Sequence, residues 1–439
     1  MTRFTRPQRF TSWGRIERLD YPMAHPRFSA DLPALLQAPD RPRSMLAVGM
    51  GRSYGDSCLN SDGGLISMRG LDRFNQIDKA GRTLRAQAGM TLDEALRLLV
   101  PRGLTLPVVP GTRFVTLGGA VANDVHGKNH ASAGTFGRWV RAIGLARQGA
   151  PPQALTPGDA QGLFNATVGG LGLTGLISWV EINVTPIESS DLEVEDIAFS
   201  TLEEYFDLMN ASTDAPYRVA WVDCTAPGKG IFSRARPMPD GGLVADAGGG
   251  GARIPFDGPG FLINGLTLSA FNMAFGAMKH ARRGPRRVHY QHFHFPLDSI
   301  KDWNRLYGGR GFRQYQCALP SANAKDAIRE ILKIVKKAGD GSMLAVLKEF
   351  GGLASPGLLS FPMAGSTLAL DFRNRGEKSL KLLDTLDSIV LRAGGRIYPA
   401  KDGRVPAHVF QQMFPNWREL ELRRDPSIRS NFWTRVSAQ

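Results

Sequence analysis

Cysteine is almost absent: Cys58, Cys224 and Cys317 are the three in a chain of 439 residues. So few, so far apart, build neither a disulfide framework nor a zinc cluster, and no metal-ligand set is expected. They suit a reducing compartment or carry no information about it. The start of the chain, MTRFTRPQRFTSWGRIERL, carries basic side chains but no apolar run, so no secretory leader is expected. Acidic residues are the minority, with 40 Asp and Glu against 54 Lys and Arg, a net charge of +14. No nucleic-acid motif accompanies this excess. A basic soluble enzyme with an anionic substrate, or one working near an anionic surface, is expected rather than a nucleic-acid binder. Low-complexity tracts and internal repeats are missing too. With 42% hydrophobic and 21% charged residues, the composition excludes a disordered tail, a collagen-like fibre and a coiled coil. The length allows two or three domains with real cores.

One stretch has no charge at all. Residues 258–278, GPGFLINGLTLSAFNMAFGAM, are followed by Lys279, Arg282, Arg283, Arg286 and Arg287. The length permits a membrane span of about 20 residues, but two Asn, a Gly-Pro-Gly and scattered Ser and Thr argue against one. Two readings stay open: a surface-binding flap with a polybasic edge, or a plain loop, buried or mobile.

Glycine is what the sequence has in quantity, 50 residues. In the first 190 residues it punctuates short apolar runs. Met45–Val48, Leu65–Met68 and Thr83–Ala88 read as strands. Thr91 and Glu94 form a capping box that opens a helix with Leu92, Leu96 and Leu99 on one side. The βαβ rhythm of a doubly wound sheet is missing, so an α+β fold is expected. Further on, Gln314–Leu319 alternates as a strand. Ser321 is placed to cap a helix carrying Ile328, Ile331, Leu332 and Val335, which Gly339 ends. Leu344–Leu347 and Thr367–Phe372 read as strands, Lys378–Ala393 as a helix, and Arg396–Tyr398 as a last strand. This β-α-β-β-α-β order is the split βαβ pattern, an antiparallel sheet with two helices on one face.

Three glycine loops carry the chemistry. Gly170, Gly172 and Gly175 match G-x-G-x-x-G, yet Leu176–Val184 after them alternates as a strand, whereas a dinucleotide fingerprint must open a helix. The other two loops run from Val48 to Ser57 (VGMGRSYGDS) and from Pro110 to His130 (PGTRFVTLGGAVANDVHGKNH). Successive backbone N–H groups in such turns form nests for phosphate oxygens. Together the three suggest a pyrophosphate-bearing cofactor held by loops rather than by one helix.

These motifs, with ATVGGLGLTG, Trp13-Gly14, Trp303-Asn304-Arg305, Gly311-Phe312, Gln314-Tyr315-Gln316, Lys348-Glu-Phe-Gly351, Ser360-Phe-Pro362 and Ala400-Lys-Asp402, resemble the vanillyl-alcohol-oxidase (PCMH-type) FAD-binding superfamily. Within it they resemble the decaprenylphosphoryl-β-D-ribose 2′-oxidase family, nearly end to end. The resemblance implies a two-domain α+β fold: an FAD-binding domain over residues 1–190, completed by 396–439, and an antiparallel-sheet substrate domain over 191–395. It implies FAD contacts from Arg52, Ser53, Tyr54, Gly55, Asp56, Pro110, Gly111, Thr112, Thr116, Gly118, Gly119, Asn123, His126, Gly127, Asn129, His130, Gly134, Gly170, Gly172, Gly175 and Ile177. Catalytic or substrate-facing roles fall to Lys401, Tyr54, His126, Gln314, Gln316 and Lys348. Lys401 can take a proton or polarise an alcohol; alternatively it pairs with Asp402 at the surface. The reaction implied is oxidation of the 2′-hydroxyl of a polyprenyl-phosphoryl ribose, the first half of an epimerisation to arabinose. A separate NAD(P)H-dependent short-chain reductase would complete it. The implied location is the cytoplasm, with peripheral contact at the cytoplasmic membrane.

The alternative is a small-sugar oxidase of the aldonolactone or alditol type, which passes electrons to oxygen. Those oxidases often carry a flavin-linked histidine in the first loop, where this chain has Arg52. They also carry a His-Trp-x-Lys element, where this chain has Tyr398-Pro-Ala-Lys401 and keeps only the lysine. A strand cysteine found in some members of the sugar-lipid family is Ala369 here, so inhibitors that trap that cysteine are not expected to act the same way. Arginine cannot form the histidyl–flavin bond, so the flavin should be held non-covalently. Acid precipitation of the purified protein is expected to release the flavin into the supernatant; a yellow pellet would contradict this.

Overall fold

The computed structural model describes residues 3–248, 251–259, 267, 284–339, 342 and 344–438. Residues 260–266 and 268–283, which hold most of the uncharged stretch with Lys279, Arg282 and Arg283, lie outside the described residues. Arg286 and Arg287, expected at a polybasic edge, lie in a strand and are ion-paired. Arg286 meets Asp196 at 2.6 Å, and Arg287 meets Asp191 at 3.2 Å and Asp240 at 2.9 Å.

Mixed helix and antiparallel sheet make the fold α+β. Near the N-terminus, Thr5–Thr11, Arg18–Ala24, Gly64–Ser67 and Met45–Val48 form a four-stranded sheet in that order. A five-stranded antiparallel sheet runs Phe74–Asp78, Thr83–Gln87, Leu176–Asn183, Val140–Ala146, Gln153–Leu155. The helix Leu92–Leu99 has the capping box: the Thr91 hydroxyl accepts from the Glu94 N–H at 3.2 Å, and the Thr91 N–H donates to the Glu94 carboxylate at 2.7 Å. Its Leu92, Leu96 and Leu99 are buried, as the 3.6-residue period requires.

The third sheet has eight strands, all paired antiparallel: Arg286–His289, Asp191–Phe199, Gly230–Pro237, Tyr217–Val222, Val346–Phe350, Gly365–Arg373, Phe312–Pro320, Arg396–Ile397. Its last four strands hold the split pattern. Phe312–Pro320 and Val346–Phe350 run the same way, with Gly365–Arg373 inserted between them. Two helices cover one face. Ser321–Ala338 buries Ile328, Ile331, Leu332 and Val335 and ends at left-handed Gly339 (φ 63°). Glu377–Arg392 buries Leu382, Leu383, Leu386, Ile389 and Val390. One expectation needs correcting: Ser321 is the first helical residue, preceded by Pro320, and gives no side-chain cap.

Period two splits the sheet's two faces. Tyr315, Cys317, Leu319, Leu347, Leu368, Leu370 and Phe372 pack toward the helices. Gln314, Gln316, Val346, Lys348, Thr367 and Ala369 face the other way. After the edge strand Arg396–Ile397 the chain turns at Ala400–Asp402 onto the first glycine loop. The Tyr54 N–H donates to the Ala400 carbonyl at 2.9 Å, and the Asp56 N–H to the Asp402 carbonyl at 3.3 Å. A Cβ on Gly55 would stand 1.6 Å from the Asp402 carbonyl oxygen, so only glycine allows this approach. Arg435 clamps both sides, 2.8 Å from Asp56 and 3.1 Å from Asp402.

Gly55→Ala is therefore expected to destabilise the fold by about 2 kcal/mol or more through overpacking. Gly352→Ala, where an added Cβ meets nothing within 4 Å, should leave Tm in place. Thermal unfolding of the two variants checks this; equal Tm values would contradict it.

Candidate active site

A cavity of about 750 Å³ lies between the glycine loops and the open face of the eight-stranded sheet. That is within the usual range for cofactor and ligand sites, about 300–1,000 Å³. One wall comes from the loops: Arg52, Ser53, Tyr54, Pro110, Gly111, Thr112, Thr116, Gly118, Gly119, Asn123, His126, Gly127, Gly172, Gly175 and Ile177. The facing wall carries Gln314, Gln316, Lys348 and Lys401. The structure thus brings these expected residues to one space.

Six others are placed elsewhere. Gly55 and Asp56 face the Asp402 turn and Arg435. Asn129 donates its amide to the Pro107 carbonyl at 2.8 Å. The Nδ1 of His130 accepts from the Gly351 N–H at 3.2 Å. Gly134 (φ 69°) ends a short helix, and a Cβ on Gly170 would lie 1.9 Å from the Ala166 carbonyl oxygen. These residues shape the loops and do not line the cavity.

A loop-held cofactor fits this wall. A Cβ on Gly111 or Gly172 would meet no protein atom within 4 Å, and on Gly119 only the Thr116 hydroxyl. Protein packing does not fill the space these glycines leave, so a ligand approaching the backbone closely can take it. Thr116 caps Leu117–Ala122 by accepting from the Gly119 N–H at 3.1 Å, which fixes the second loop. Asp298 ties that loop down from outside, accepting from the Thr112 hydroxyl at 2.7 Å and the Arg113 N–H at 2.8 Å. Arg52 lies over Trp13, its guanidinium carbon 3.9 Å from the ring centroid.

Across the cavity, burial decides the charges. The Lys401 ammonium sits 3.8 Å from the Tyr54 ring centroid. Burial pulls its pKa down to about 7, against the opposing pull of Asp371. Burial likewise lowers Lys348 to about 8 and Lys128 to about 7. Lys128 donates to the His294 carbonyl at 2.8 Å. His126 lies between Phe350 and Tyr398, with ring centroids at 4.9 and 5.4 Å. Burial, then the positive Lys348, holds it well below the ordinary imidazole value, so it is neutral. The Gln316 amide nitrogen reaches His126 Nε2 at 3.1 Å and the Thr367 hydroxyl at 3.2 Å. With the amide as donor, Nε2 is the acceptor and Nδ1 carries the proton.

Asp371 was not anticipated. It pairs across the strands with Gln314, whose amide donates to it at 2.7 Å, and burial raises its carboxyl to about 7. Tyr307, stacked on Phe312 at 4.3 Å, completes its surroundings. An aspartate at an inward position of the apolar run TLALDF was the available signal. The wall as a whole can bind an anionic, hydroxyl-rich ligand and accept a proton at Lys401.

Comparison with known proteins agrees in kind. Residues 23–149 match the model of a family described as an FAD binding domain. The chain is 34% identical to decaprenylphosphoryl-beta-D-ribose oxidase of Mycolicibacterium smegmatis, over 96% of this chain and 95% of that protein. It is 33% identical to a Streptomyces coelicolor protein named for its place in the mprA 5′ region, over 77% of this chain and 96% of that protein. L-gulonolactone oxidase 2 of Arabidopsis thaliana is 24% identical, over 43% of this chain and 35% of its own length.

Buried His130 supplies a test of the electrostatics. Burial, then Lys348, lowers it to about 4 from the ordinary 6.5. Between those values the unfolded chain binds a proton that the folded chain refuses, so acidification costs about 1.4 kcal/mol per pH unit. Asparagine can accept the same Gly351 N–H without titrating. Between pH 6 and pH 5 the urea-unfolding stability of His130→Asn is expected to rise relative to wild type by about that amount; a difference independent of pH would contradict it.

Proposed function

The chain belongs to the decaprenylphosphoryl-β-D-ribose oxidase family, FAD-dependent oxidoreductases acting on CH–OH groups, and from that premise we propose that it oxidises the 2′-hydroxyl of a polyprenyl-phosphoryl ribose to the 2′-keto sugar. The observation that carries this reading is the convergence of Lys401, Gln314, Gln316 and Lys348 on the wall facing the three glycine loops. Residues 1–190 with 396–439 would hold the cofactor, and 191–395 the substrate. Bound FAD supplies a two-electron acceptor. The remaining work falls to side chains. Gln314 and Gln316, held in place by Asp371 and Thr367, present amides to sugar hydroxyls. Lys348 offers a positive charge to the phosphate. Lys401, its amine made available near neutral pH by burial, accepts the hydroxyl proton. His126 stays neutral and orients Gln316. Arg52 fills the place of a linking histidine, which leaves the flavin dissociable.

The keto product would pass to an NAD(P)H-dependent short-chain reductase, giving net epimerisation to arabinose. The lipid substrate implies peripheral contact at the cytoplasmic face of the membrane. Among the described residues no helix is long and apolar enough to cross a membrane. The match to L-gulonolactone oxidase 2 covers less than half of this chain, which gives the small-sugar alternative less support.

Under anaerobic conditions polyprenyl-phosphoryl ribose is expected to bleach the flavin, while free aldonolactones and alditols leave it yellow. The reverse would move the assignment to a small-sugar oxidase. Lys401→Met should keep its flavin and lose about 100-fold or more in reduction rate. The sign of the pH effect follows from the amine: protonated lysine cannot accept a proton. Wild-type kcat/KM should therefore fall as pH drops below about 7, and an activity flat from pH 8 to pH 6 would contradict the role of Lys401.

A further inference from the structure

We propose that a small void behind Lys401 is a water-filled exit for the substrate's hydroxyl proton, running from the lysine amine past Arg313 to solvent at Glu17. The inference rests on the reading of Lys401 as proton acceptor. Oxidation of a secondary alcohol removes a hydride, which the FAD accepts, and one proton, which passes from the hydroxyl oxygen to the Lys401 lone pair. The ammonium so formed must lose that proton to water before it can act again. A large cavity filled by cofactor and lipid-linked sugar leaves little room for water on that side.

Lys401 has a second face. Together with Tyr54 and Gln314 it lines both the large cavity and a separate void of about 30 Å³. At roughly 10–15 Å³ per molecule, that is room for about two waters. Its wall is mixed, with Ser12, Asp56, Arg313 and Asp402 beside apolar side chains such as Leu59 and Leu383. The Nε of Arg313 is buried with no hydrogen-bond partner, a donor that a water in the void would satisfy. Arg435 pairs with both aspartates, at 2.8 and 3.1 Å. Glu17, on the same wall, is solvent-exposed, and it is there that the exit would meet bulk water.

Ile16 lines the void but not the large cavity, so Ile16→Trp can plug the one without touching the other. A high-resolution crystal structure of the substrate-free holoenzyme should show ordered water in the void, linked to Lys401 Nζ; a dry void would overturn the proposal whether or not the variant folds. In a single anaerobic turnover followed with a pH-indicator dye, wild type should release its proton together with flavin bleaching. Ile16→Trp should bleach at the wild-type rate but release the proton with a several-fold lag, while Ile16→Ala behaves as wild type. Proton release without a lag behind bleaching in Ile16→Trp would overturn the exit alone. A wild-type flavin that the sugar lipid fails to bleach would overturn the reading of the reaction, and the exit with it.

Discussion

The seating of the first glycine loop on the Ala400–Asp402 turn is the contact on which the site depends. Two backbone hydrogen bonds and the missing Cβ of Gly55 bring the two segments together. That contact places the Tyr54 ring under the Lys401 ammonium. It joins residues some 350 positions apart in the chain, and Arg435 from the C-terminal helix locks it through Asp56 and Asp402. The cofactor wall and the sheet wall are thereby fixed relative to each other.

Desolvation is the second organising influence. Lys401, Lys348 and Lys128 line one cavity, and burial is the largest cause of the fall in each pKa. Like charges add to it: Lys348 lowers Lys401, Lys128 and His126 alike. A cavity that cannot keep all its lysines charged is suited to an incoming phosphate, which would stabilise the cationic forms. It is also suited to a neutral amine that accepts a proton near pH 7. Asp371, behind Gln314, opposes the fall at Lys401 and sets how far it goes.

Much of the fold was legible where local signals are strong. The capping box at Thr91, the period of Ile328–Val335 and the β-α-β-β-α-β order all follow from side-chain spacing, and the strands pair in the split pattern. The four strands that widen the sheet to eight were not read. Their exposed faces carry cross-strand ion pairs such as Arg234–Glu195 at 2.7 Å, which weaken the apolar signal. In the site, motifs located the glycine loops. They did not distinguish a glycine that leaves room for a ligand, such as Gly111, from one that leaves room for another backbone, such as Gly55 or Gly170. That distinction depends on which segments meet across the chain. Asp371 escaped for the same reason: its partners come from other strands and turns.

The central claim is that the C2′ hydrogen of a lipid-linked ribose leaves in this cavity as its 2′-hydroxyl proton passes to Lys401. The most direct measurement is the anaerobic rate of flavin bleaching with polyprenyl-phosphoryl ribose deuterated at C2′, beside the same substrate deuterated at C3′. The account predicts that the C2′ label slows bleaching several-fold and that the C3′ label does not. Equal rates for both labels, or slowing by the C3′ label alone, would contradict it.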